Sequence, residues 1–138
     1  MPRTFIDTEE AVVTYLQGVS PGNVSVQMPI LQTIPLTEPF ILIARVAGSD
    51  DKVSDQGIVD VHTFHSSRDL ASRSARYVHQ LMYLWTPQVG IPMSTGDIVH
   101  VDLVETILGP HWSDYGDENL KRYTARYQIT SRISSQSL

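Results

Sequence analysis

Residues 66–85 read SSRDLASRSARYVHQLMYLW. Their apolar and small positions are Leu70, Ala71, Ser74, Ala75, Val78, Leu81, Met82 and Trp85. These recur at spacings of one, three and four, which lays a single stripe along a 3.6-residue helix. Ser66 or Ser67 supplies a cap, and Asp69 falls in the first turn, at the positive end of the helix dipole. Pro87 ends the pattern, because proline disfavours helical backbone in the residue before it. A second, shorter stripe, Ala11, Val12, Tyr15, Leu16 and Val19, predicts an earlier helix. It is capped by Asp7 or Thr8, with Ile6 placed to staple the first turn. Gly18 and the Ser20-Pro21-Gly22-Asn23 string close it.

Most of the remaining chain has the period of strands. Residues 23–27 alternate briefly. Residues 40–46, FILIARV, are almost continuously apolar and predict a central strand buried on both faces. A polar loop with glycine at both ends, 48–57, then leads to a strand at 58–64. There Val59 and Val61 face one way and Asp60 and His62 the other. Residues 98–108 predict the longest strand, with Val99, Val101 and Leu103 on one face. Residues 120–133 alternate cleanly, with Tyr123, Ala125, Tyr127 and Ile129 opposite Arg122, Thr124, Arg126, Gln128 and Thr130. Between the first two strands lie prolines 29, 35 and 39, which argue for an extended, ordered loop. Residues 87–95 and 109–118 read as loops. The fold class is therefore α+β. A mostly antiparallel sheet of about five strands carries two helices on one face, in the order α-β-β-β-α-β-β. One domain spans 1–138, with a flexible arm at 1–5 and a tail at 134–138.

Composition narrows the function classes. Hydrophobic residues make up 41% of the 138 positions, enough for a core. With no cysteine there is no disulfide scaffold and no thiolate site. No apolar run is long enough to span a membrane, and the N-terminus has no signal-peptide pattern. The net charge of −5 does not suit gripping DNA through overall charge. No nucleotide loop, nucleophile elbow or HExxH is present, so the chain reads as a non-enzyme without cofactor. The one catalytic alternative uses two histidine–aspartate pairs, Asp60/His62 and His100/Asp102. If their strands were neighbours, they would offer ligands for a metal-dependent hydrolase.

Surface residues carry more of the argument. Trp112 and Tyr115 stand on a Gly/Pro/Asp stretch, where large aromatics either cap the domain's own core or anchor a subunit interface. Asp50, Asp51 and Asp55 fall in the polar loop and are expected to face a lumen or an adjoining ring. Arg68, Arg73 and Arg76 fall off the long helix's stripe, either in solvent or against a neighbouring subunit. Arg122, Arg126 and Arg132 form a basic strip, expected to be solvated or bridged to acidic neighbours.

The order of elements and several strings resemble the tail-terminator (tail-completion, minor tail) proteins of long non-contractile-tailed phages, of the actinobacterial-phage type. The strings are TEEAVVTYL, VQMPILQTIPLTEPFILIARVAG, GIVDVHTFHSSRDLASRSARYVHQLM and LVETILGPHWSDYGDENLKRYTARYQITSRI, which together span residues 7–133. The resemblance implies a hexameric ring of this chain, seated on the last ring of the major tail tube protein at the head–tail junction of the virion. The ring would end tail polymerisation and offer a surface to the head–tail connector, with genome DNA passing through its lumen. Assembly would occur in the host cytoplasm. No catalytic, cofactor or metal residue is implied. A head-completion, adaptor or tube-related role in the same virion is the alternative. A closed ring needs a heterologous interface, so one of the protruding segments should be interfacial.

Overall fold

The N-terminal stripe folds as α1, Thr8–Val19. Asp7 caps it by accepting from the Glu10 N–H, and Ser20 closes it by donating its N–H to Leu16. Ala11, Val12 and Leu16 are buried. The computed structural model describes residues 7–20, 22–27, 38–50, 55–85 and 90–136. The expected arm at 1–5, the Ile6 staple, proline-loop residues 28–37, Asp51 and Leu138 lie outside that set.

The long stripe folds as α2, Arg68–Tyr83. Ser67 is the cap and accepts from the Leu70 N–H. Ala71, Ala75, Val78 and Met82 are buried, as is Trp85 just past the helix. The helix is shorter than the 66–85 stretch and stops before Pro87. Trp85 stacks on Tyr15 with centroids 4.2 Å apart, and the Tyr15 hydroxyl donates to the Leu81 carbonyl, tying α1 to the end of α2.

Six strands form one sheet: β1 Asn23–Ser25, β2 Phe40–Asp50, β3 Asp55–His65, β4 Gly90–Pro92, β5 Asp97–Trp112 and β6 Lys121–Gln136. Their order is β1-β2-β3-β6-β5-β4. β1 runs parallel to β2; every other pairing is antiparallel. Residues 41, 43, 59, 61, 99, 101, 125, 127 and 129 join the helices in one apolar cluster, so both helices cover the same face.

Several boundaries differ from the sequence reading. There are six strands instead of five, because Gly90–Pro92 in the expected loop pairs with Ile98–His100. β2 and β3 run into the expected polar loop, where Asp50 pairs with Asp55. β2 is not buried throughout, since Val46 is half exposed. β5 continues through Gly109 and Pro110 to Trp112, and β6 continues to Gln136 through the expected tail.

The pairing of β5 with β6 slips at Asp102, between Val101 and Leu103. A bulge reverses the phase of the side chains beyond it. Leu103 is consequently exposed, while Val104 packs on the core beside Val99 and Val101. A smaller cluster, Phe40, Phe64 and Leu120 with Leu42, lies on the face away from the helices.

Candidate subunit interface

Trp112 ends a strand; it does not sit in a loop. It pairs with Tyr123 across the β5–β6 ladder, and their rings meet edge to face at 5.8 Å. Arg68, at the start of α2, stands over the indole at 4.5 Å and points its Nε at the Tyr123 hydroxyl, 3.4 Å away. That contact lowers the acidity threshold of the phenol, holding Tyr123 below its ordinary pKa. Trp112 is thus half buried and engaged with its own chain.

Tyr115 lies on the opposite face. Its ring meets Phe64 edge-on at 5.0 Å and lies beneath the Arg122 guanidinium, yet 42% of the residue is exposed. The turn carrying it is shaped by carboxylates, Asp114 accepting from the Gly116 N–H and Asp117 from the Asn119 N–H. Arg122 fastens the turn by donating to the Ser113 carbonyl and hydroxyl and to the Asp114 carbonyl. Tyr115 and Trp112 therefore cannot form one aromatic anchor. Of the two, Tyr115 is the more outwardly presented.

The three loop acids also separate. Asp50 ends β2, and Asp51 lies outside the described residues. Asp55 opens β3 with 3% exposure. It accepts from the Thr8 hydroxyl at 2.8 Å and from two Arg45 nitrogens at 3.2 Å, which pins the start of α1 to the sheet. This placement turns Asp55 inward, away from the surface expected for it.

Arg73 pairs with Asp69 one turn earlier, both exposed, and Arg76 is exposed on the same helix. Two of the three arginines of the basic strip on β6 are bridged to acidic neighbours on adjacent strands. Arg126 binds Asp60 through two nitrogens, at 2.7 and 3.1 Å, and Arg132 binds Asp102 at 3.1 Å. β6 lies between β3 and β5, so the two histidine–aspartate pairs are not on adjacent strands. Among the described residues, no three His, Asp or Glu side chains converge as metal ligands would. His62 bonds Thr124 at 3.0 Å instead. Burial first, then the Arg122 charge, push its pKa below the usual value.

The structure adds a surface that periodicity hid. Leu103, Ile107 and Leu108 on β5 are each about half exposed, at 51%, 48% and 51%. Leu103 and Leu108 share the sheet face away from the helices with Tyr115 and the Arg126–Asp60 pair. The pairing slips at Asp102 and Ile107 bring them there, and an alternation count does not register such slips.

A search of curated proteins gives no match to this chain. A family model described as "Phage tail termination protein" matches residues 4–130. That match covers both helices and all of the sheet except residues 131–136 at the end of β6, with the element order described above. This chain belongs to the phage tail termination protein family, and its role is that of a structural component of a phage tail.

Proposed function

We propose that copies of this chain close into a ring, a hexamer, that caps the tail tube at the head–tail junction. The ring stops addition of tube subunits, offers a surface to the connector of the head and leaves a lumen for the genome. The observation that carries this reading is the family match across residues 4–130. Two physical features agree with it. The isolated chain leaves an apolar strip on β5 and a half-exposed Tyr115 unburied, as a subunit awaiting its neighbours would. Its net charge of −5 gives passing DNA few phosphate contacts that would hold it in the lumen.

The test is removal of this chain from the phage that encodes it, with the tails examined by electron microscopy. Tails of uncontrolled length that do not join heads are expected, and supplying the chain in trans restores both properties. Tails of normal length that merely fail to join heads would assign the chain to the connector instead.

A further inference from the structure

The sheet has two long edges that are only partly covered. β1 pairs with Phe40–Leu42 at one end of β2, and β4 pairs with Ile98–His100 at the opposite end of β5. Among the described residues, 43–50 of β2 and 101–108 of β5 have no strand on their outer sides, although the Arg45 N–H of β2 is already held by the Glu9 carboxylate of α1 at 2.7 Å. Solitary proteins blunt such edges with Lys, Pro or outward charge at the bulges. Neither stretch contains Lys or Pro, and the one charge at a bulge, Asp102, is bound to Arg132 of the same chain. The bulges at Val46 and Ile107 instead leave apolar side chains 46% and 48% exposed.

The two open stretches lie at the same height across the sheet. Asp50 is level with Val101 through Asp55 and Ser131. Ala47 is level with Glu105 through Ile58 and Gln128, and Arg45 with Thr106 through Val59 and Tyr127. β2 and β5 run in opposite directions, since three antiparallel steps separate them. In a ring whose subunits all point the same way, one subunit's β2 would meet the next subunit's β5 as an antiparallel pair. One edge meets a different edge, so the contact is heterologous and repeats around a ring.

We propose that the occupant of each open edge is a second copy of this chain, with 43–50 of one subunit pairing with 101–108 of the next to continue the sheet around the ring. The proposal rests on the ring reading above and specifies the contact that builds it. Val46 and Ile107 then become buried side chains at the seam.

The experiment uses the full chain. Light scattering measures assembly across a concentration series, and amide hydrogen exchange compares the assembled with the dispersed protein. Assembly is expected to slow exchange at both 43–50 and 101–108. Ile107→Lys and, separately, Val46→Lys should abolish assembly and that protection while the thermal melt of the monomer is retained. Tyr83→Lys, on the exposed side of α2, should still assemble. A ring that forms with exchange at both stretches unchanged, or that tolerates both lysines, overturns the edge pairing and leaves the ring reading standing. A chain that stays monomeric at every concentration overturns both.

Discussion

Arg68, the first residue of α2, holds its guanidinium carbon 4.5 Å above the ring of Trp112, the last residue of β5. The contact joins the far end of the longest hairpin to the start of the covering helix. A cation over an indole contributes about 0.5–2 kcal/mol, depending on how far water is excluded. Trp112→Ala also removes the edge contact with Tyr123. It is expected to lower the unfolding free energy by about 2 kcal/mol, less than for a fully buried tryptophan. A urea titration checks this, and Trp112→Phe should recover more than half of the loss. A stability loss near zero would mean that the ring is spare in the monomer and is held for a partner.

Asp55 and Arg45 form the second long-range tie. Because Asp55 is 3% exposed, removing Arg45 leaves a buried carboxylate with the Thr8 hydroxyl as its remaining partner in this knot. Arg45→Ala and Asp55→Ala are each expected to cost about 2–3 kcal/mol, below the full buried-pair range because Arg45 keeps some contact with water. The double variant should cost clearly less than the sum, since the second change removes a group already stranded by the first. Strict additivity in urea titrations of the four proteins would show that the pair is not coupled.

Gly57 lies beneath the start of α1. A Cβ there would stand 2.6 Å from the Thr8 hydroxyl oxygen and 2.9 Å from its methyl group, so the helix end would have to lift. Gly57→Ala is expected to cost about 1–3 kcal/mol by overpacking and to loosen α1 first, seen as faster amide exchange over its first turn. Gly109→Ala is the control, since among the described residues nothing lies within 4 Å of its Cβ position. Its melting temperature should be close to that of the parent chain.

His62 and His65 give the chain an acid-side weakness. Burial lowers the pKa of both below the ordinary value of 6.5, and at His62 the Arg122 charge adds to the effect. The unfolded chain therefore takes up protons at a higher pH than the folded one. Above 6.5 both states are neutral at these sites and nothing is lost. As pH falls from 6.5 toward the lowered folded values, the unfolded state binds more protons and stability declines. Thermal melts from pH 7.5 to 5 should show this fall, with a shallower slope in His62→Asn. An unchanged slope in that variant would assign the dependence to other groups.

Both helices were legible because their stripes are long enough to show a 3.6-residue period against the polar background. β6 was legible for the equivalent reason at period two, its buried Ala125, Tyr127 and Ile129 alternating with Arg126 and Gln128. β4 was not, since three residues contain no period. Gly109 and Pro110 read as a loop. Pro110 can remain in β5 because that part of the strand has no described neighbour on its outer side to miss the absent N–H. Leu103 was assigned to the wrong face because a bulge shifts phase without any compositional mark.

The candidate surface followed the same division. The sequence by itself determined the two helices, the α+β class and the strings that carry the family resemblance, because these depend on local period and residue type. Only the tertiary structure decided that Asp55 is buried and bound to Arg45, that Trp112 and Tyr115 occupy opposite faces, and that Leu103, Ile107 and Leu108 are exposed. Those outcomes depend on register and on partners far away in the chain. A one-residue slip in a ladder reverses which side chains meet the core, and local sequence pattern carries little information about the slip.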